Sequence, residues 1–307
     1  MNREDYSMLL AQERHDAATE RGEDAPALTF TGSGIYPDVP EEDYHARRFG
    51  PRESLSSTEA KRVLKAPALF RYHRDHGQEA RREFDLGHVA HALVLGVGLP
   101  VWVHDHDSLR TKAAREEVAE HRAAGEVPIV RDDWEAMTAL ADSVLTHPVA
   151  GPLFEAGTPE QSIYATDSET GVWMRGRVDW TTQSEGSPLL VDLKTTVSAD
   201  PSEFSRSVVR YGYDLQAAWY RTIWAQATGR KPHFVHVLAE KKAPFLVSVV
   251  ELDQDFLEVG EIHARSALDS YARCMASGDW PGYLATTHPL TPPTWYAEAS
   301  GLYDLEF

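Results

Sequence analysis

The stretch Leu189-Leu190-Val191-Asp192-Leu193-Lys194-Thr195-Thr196 constrains the fold more than any other in the chain. Its run of leucine and valine reads as a strand buried on both faces, and therefore as a central strand of a sheet. Side chains alternate between faces along a strand, so Asp192 and Lys194 emerge together on one side. Ionised groups in so apolar a setting need a metal, a partner or a solvent channel. A second acid, Asp179, sits in the preceding segment Gly176-Arg177-Val178-Asp179-Trp180, which reads as the other arm of a β-hairpin. Two carboxylates and an amine brought together in this way can hold a divalent cation and a water.

Other readings are limited by composition. At 307 residues and 42% hydrophobic, the chain can bury a sizeable core. Its single cysteine, Cys274, excludes an intramolecular disulfide framework, a four-cysteine zinc site and a cysteine-ligated iron–sulfur cluster, so any metal must be held by oxygen and nitrogen. No apolar run spans a bilayer and the N-terminus has no signal-peptide pattern, from which a cytoplasmic protein without membrane contact is expected. The net charge of −18 argues against a general polyanion binder, although a protein that encloses a polyanion needs cations only along its channel. Arg71–Arg82 and Arg206–Arg210 are local basic patches. A Walker loop, a Gly-x-Gly-x-x-Gly turn, a Gly-x-Ser-x-Gly elbow and a His-Glu-x-x-His helix are all missing.

Residues 1–33 read as a charged, flexible arm, and residues 34–307 as a single domain ending in an aromatic, proline-rich tail that includes Trp280, Tyr283 and Trp295. Ser56 and Glu59 have capping-box spacing ahead of a helix, and Pro67 restarts a second one. Further helices are expected over 84–95, over 111–124, and over 132–147 with Asp132 as cap and Met137, Ala141, Val144 and Leu145 on its apolar stripe. Past Pro148 the pattern changes to three strands in an antiparallel meander, 161–165, 172–182 and 189–195. Helices at 201–210 and 214–227, strands at 233–239 and 245–252, and a helix at 255–276 complete the reading.

Magnesium or manganese suits two aspartates converging from neighbouring strands, because both ions prefer hard oxygen ligands. Lys194 can orient an attacking water or balance charge on a phosphate. His91 lies on the apolar face of its helix with His88 one turn away, and spacing alone does not choose between them. Glu160, just ahead of the first meander strand, is either a loop acid or a further ligand. Gln216 and Tyr220 share a helix face, which either packs as ordinary core or points at the hairpin.

In this order, His91, Glu160, Asp179, Asp192-x-Lys194 and Gln216-x-x-x-Tyr220 resemble the PD-(D/E)XK nuclease superfamily. More narrowly they resemble phage and prophage RecE-type exonucleases (exonuclease VIII), related to the RecB nuclease domain. The likeness runs from Gly34-Ile35-Tyr36 through Leu55-Ser56-Ser57, Ala66-Pro67-Ala68 and Leu86-Gly87 to the Trp280–Tyr283 tail. It implies an α/β, restriction-endonuclease-like core with a central mixed sheet flanked by helices. It also implies magnesium-dependent hydrolysis of linear double-stranded DNA from the 5′ end, with manganese as a substitute. Carried over, Asp179 and Asp192 hold metal, His91 completes a second metal position and the Leu193 carbonyl adds an oxygen. Lys194 positions the water, Gln216 and Tyr220 brace the site or touch DNA, and Glu160 aligns with an upstream acid of relatives. The family's second acid is often glutamate, where this chain has Asp192. A ring-shaped homo-oligomer acting on duplex ends, leaving 3′ strands for recombination through a single-strand annealing partner, belongs to the same expectation. A nuclease of this fold with another polarity or substrate, and a catalytically silent DNA-binding scaffold, are the competing readings.

Overall fold

The computed structural model describes residues 29–37, 39–47, 49–50, 52–77, 82–104, 111–287, 289–293 and 296. Residues 1–28 of the expected 1–33 arm and the tail residue Trp295 lie outside these residues. In chain order the elements are β1 (Gly34–Tyr36), α1 (Glu41–His45), β2 (Ser54–Ser56), α2 (Ser57–Lys65), α3 (Pro67–His76), α4 (Arg82–Leu95), β3 (Val101–His104), α5 (Lys112–Ala123), β4 (Val127–Val130), α6 (Arg131–Thr146), β5 (Thr158–Thr166), β6 (Trp173–Ser184), β7 (Ser187–Thr196), α7 (Pro201–Tyr211), α8 (Tyr213–Thr228), β8 (His233–Glu240), β9 (Val247–Val250) and α9 (Gln254–Ser277).

One mixed sheet has the order β1-β5-β6-β7-β8-β9, with β2 joined to β6, and β3 and β4 form a separate parallel pair. The expected meander is present as antiparallel β5-β6-β7. β8 then pairs parallel to β7, a geometry that requires a long crossover, and α7 and α8 supply it. As its sequence implies, β7 is interior and buried on both faces: Leu190 enters one core cluster with Phe204, Leu215 and Phe234, while Leu189, Val191 and Leu193 enter the other with Val89, Leu140 and Val237. Helices α2, α8 and α9 cover the first face, and α4 and α6 the second.

The join between β6 and its neighbours is what creates the site. β2 pairs with β6 at Trp173–Arg175 and β7 pairs with it from Trp180 to Ser184, and among the described residues neither pairs with Gly176–Asp179. The sheet is forked there. α8 lies close against the fork because residue 176 is glycine: a Cβ at that position would stand 2.6 Å from Ile223 Cδ1 and 2.7 Å from Tyr220 Cε1. Trp219, fully buried, donates from its indole nitrogen to the Arg175 carbonyl at 2.9 Å and fixes the helix on the strand.

Several local expectations are corrected. α6 begins at Arg131 with Val130 as its N-cap and no side-chain cap, so Asp132 lies in the first turn, where it complements the helix dipole. Leu145 is exposed, and Leu140 takes its place in the stripe. Glu160 lies within β5 instead of ahead of it. The Ser56–Glu59 capping box and the proline start of α3 are present as read. The tail is pinned where Trp280 stacks on Phe70 at 5.2 Å and the Ala68 amide donates to the Pro281 carbonyl.

Candidate active site

Three elements deliver the acids. Asp179 leaves β6 at the fork and its Oδ2 accepts the Leu193 amide at 2.8 Å, so a side chain substitutes for the missing backbone partner. Glu160 stands opposite Asp179 across the β5–β6 ladder, between the recorded pairs Pro159–Trp180 and Gln161–Val178. Its backbone is left-handed, at φ 49°, a conformation that costs a non-glycine residue about 1–2 kcal/mol and takes it out of the ladder. Its carboxylate, the Asp179 carboxylate and a ring nitrogen of His91 all come within 4.8 Å of one another.

His91, from α4, resolves the choice between the two histidines. Its Nε2 lies 2.9 Å from the Leu193 carbonyl and its Nδ1 3.7 Å from Asp179 Oδ2, whereas His88 is exposed at the rim. A carbonyl only accepts, so Nε2 carries the hydrogen, and the Nδ1 lone pair of the neutral ring then faces a carboxylate. Two acceptors aimed at each other call for a cation or a proton between them. Together with Glu160, this oxygen-rich donor set fits a hard divalent ion.

Asp192 is turned the other way. It is buried at 1% exposure, its Oδ1 accepts from Gln216 Nε2 at 2.9 Å, and its Oδ2 lies 2.5 Å from Lys194 Nζ and 3.2 Å from His236 Nδ1. Burial works against its ionisation, but Lys194 and His236 outweigh burial and hold the Asp192 carboxyl below the ordinary range. Burial also opposes the charge on Lys194, and Asp192 and Asp179 outweigh it to push the amine up. Asp179 goes the opposite way from Asp192: burial, reinforced by Asp192, raises it. Burial pushes the Tyr220 phenol well above its usual value, leaving it a neutral donor.

The structure therefore separates the expected residues into two contiguous groups, His91–Glu160–Asp179 and Asp192–Lys194–Gln216, with the Leu193 backbone between them. Tyr220 packs against Gly176 beside both. Two neighbours went unread in the sequence. His236 stands directly beside Asp192 in the parallel β7–β8 register, and Tyr213 receives the Lys194 ammonium over its ring at 5.1 Å. Strand parity puts His236 on the face of Phe234 and Leu238, but only the register reveals Asp192 as its partner.

A strand pair that opens over one aspartate, while the adjoining strand carries Asp-x-Lys, places this protein in the PD-(D/E)XK class. Residues 56–287 match the family described as PDDEXK-like domain of unknown function (DUF3799), and the chain belongs to that family. It is similar in fold to a candidate exonuclease from Eubacterium rectale at 13% identity, covering 86% of this chain and 98% of that one with a TM-score of 0.57. It also aligns with a phage-related exonuclease from Haemophilus somnus 129PT at 12% identity, 74% and 96% coverage and TM-score 0.29. An alkaline exonuclease from Laribacter hongkongensis aligns at 12% identity, 78% and 97% coverage and TM-score 0.29. Only the first of these likenesses is close enough to speak for the fold. No curated protein matches the chain. Among the described residues, no helix is long and apolar enough to cross a membrane.

Proposed function

We propose that this protein is a magnesium-dependent exonuclease that hydrolyses phosphodiester bonds of linear double-stranded DNA from the 5′ end, with manganese able to replace magnesium. The observation that carries this reading is the meeting of His91, Glu160 and Asp179 within 4.8 Å, beside an Asp192–Lys194 pair at 2.5 Å. Asp179, Glu160 and His91 would hold the cation, with Asp192 and the Leu193 carbonyl adjoining. When bound, such an ion lowers the pKa of an attacking water and stabilises the leaving oxygen.

The protein's own contribution centres on Lys194. Asp192 keeps it an ammonium, so it donates hydrogen bonds and cannot take a proton. It positions the water, or balances the charge that builds on the phosphate as the water oxygen bonds to phosphorus, the bond from phosphorus to the leaving strand's oxygen breaks, and the water's proton is exchanged through solvent to that oxygen. Gln216 and His236 hold Asp192 in place, and Asp192 in turn aims Lys194. The 3′ strands so produced would pass to a single-strand annealing partner in recombination in the cytoplasm, and the protein would work as a ring of copies around duplex DNA.

The test is incubation with linear and with circular duplex, each with magnesium or with EDTA, using end-labelled strands. The linear form is expected to lose nucleotides from its 5′ ends only when metal is present, while the circle persists. Lys194→Ala is expected to lower the rate at least about 100-fold, the scale of a lost transition-state charge contact. Degradation in EDTA, or near-normal turnover by Lys194→Ala, would overturn the assignment.

A further inference from the structure

A groove of about 880 Å³ opens from the site, with Lys194, Thr195 and Thr196 of β7 as its floor and α7 as one wall. Its lining departs from the rest of the molecule in charge. The chain as a whole carries −18, yet Lys194, Arg206, Arg210 and Lys241 line this cleft against one carboxylate, Glu203. Arg206 and Arg210 lie one turn apart on α7, both exposed, and neither forms an ion pair among the described residues. Arg47, Arg74, Arg175 and Arg265 are each matched to a carboxylate. At the end of α7 the Tyr211 side chain is 51% exposed, with the Arg210 guanidinium 5.5 Å from its ring centroid.

Exposed arginines on a helix are ordinarily just a solvated face. Here they are unmatched in an acidic protein, they line a concave surface, and that surface runs into Lys194. A cationic groove with an aromatic platform is the combination that tracks a single-stranded backbone and stacks its bases. The volume falls in the small-ligand range of about 300–1,000 Å³, which accommodates the end of one strand.

We infer that this groove holds a single-stranded DNA end, with successive phosphates on Arg206 and Arg210 and a base against Tyr211. The inference rests on reading the adjoining site as a nuclease. It is tested by fluorescence anisotropy of a labelled short oligothymidylate with the full chain in EDTA, so that no cleavage intervenes, across a salt series. The double variant Arg206→Ala/Arg210→Ala is expected to bind about 10-fold more weakly or worse. Its log–log salt dependence should be shallower by about 1.4, since each single-strand phosphate contact contributes about 0.7. Tyr211→Ala is expected to weaken binding about 5-fold or more with the salt slope unchanged.

Unchanged affinity and slope in the arginine variant would overturn the inference, as would an equal loss of affinity for a closed duplex circle that has no strand end. Circular-dichroism melts of the exposed-site variants should match the parent. The nuclease reading fails separately: if the parent protein leaves linear DNA intact in magnesium while its oligonucleotide binding still depends on the two arginines, the groove stands and the catalytic assignment falls.

Discussion

Asp179 holds the least comfortable position at the residue scale. It is half-buried beside His91 with Asp192 nearby, and its carboxyl is raised because removal from solvent and a neighbouring acid disfavour its charge. A neutral side chain of the same shape should relieve that repulsion while its oxygen still accepts the Leu193 amide. Asp179→Asn is therefore expected to gain on the order of 1 kcal/mol without metal at neutral pH, about 2–4 °C in Tm, and to lose hydrolysis. Added magnesium should raise the Tm of the parent and leave that of the variant still, which differential scanning fluorimetry reads directly. A lower Tm for the variant without metal would show that Asp179 is tolerated for structural reasons. Strand parity made Asp192 and Lys194 legible as a pair. Glu160 was not legible in the same way, because its place depends on a left-handed backbone turn that no spacing announces.

Between elements, two contacts set how the layers meet. Gly176 lets α8 approach β6, and Gly176→Ala would drive a methyl against Ile223 and Tyr220. The expected cost is about 1–3 kcal/mol in urea unfolding, with loss of the Gln216–Asp192 geometry, and an unaffected midpoint would contradict the close approach. The second contact is Glu59, whose capping role on α2 was readable and whose larger role was not. It is buried, pairs with Arg175 of β6 at 2.8 Å and takes a hydrogen bond from Arg47. Burial opposes its charge, but Arg175 and Arg47 outweigh burial and lower its pKa. A depressed folded pKa means that the unfolded chain binds the proton more readily, so this stability is present above about pH 4.5 and is lost as pH falls through the folded value. Glu59→Gln leaves Arg175 buried without its charge partner, at an expected cost of about 3–5 kcal/mol near neutrality. The deficit should shrink below about pH 4 in melts of both proteins. A deficit that does not change with pH would mean the pair is not ionic. Short elements such as β2, β3 and β4 escaped the sequence reading because three or four residues cannot display a period, and their pairing is decided by distant partners.

In the molecule as a whole, the sheet order and the two-sided core follow from a few long, strongly patterned segments: the meander, the apolar β7, and the helices that follow it. These are the parts the sequence makes plain, since each carries its own period and its own stops. The convergence of α4, β5 and β6 on one point was not plain, because it depends on where the sheet forks. The acidic total and the basic groove are two scales of a single charge distribution, −18 overall with cations gathered where the cleft meets the site. Parallel pairing of β7 with β8 obliges the chain to travel over the sheet, and that detour carries the Arg206–Arg210 wall in its first helix and the Gln216 brace in its second. The two helices meet at Gly212, in a left-handed turn with a single residue between them. The same first helix faces two ways, with Phe204 packed on Tyr213 and His236 beside the Asp192–Lys194 pair while Arg206 and Arg210 face the cleft. Charge reversal confined to Arg206 and Arg210 should therefore retune what the groove retains without disturbing the packing that holds Asp192.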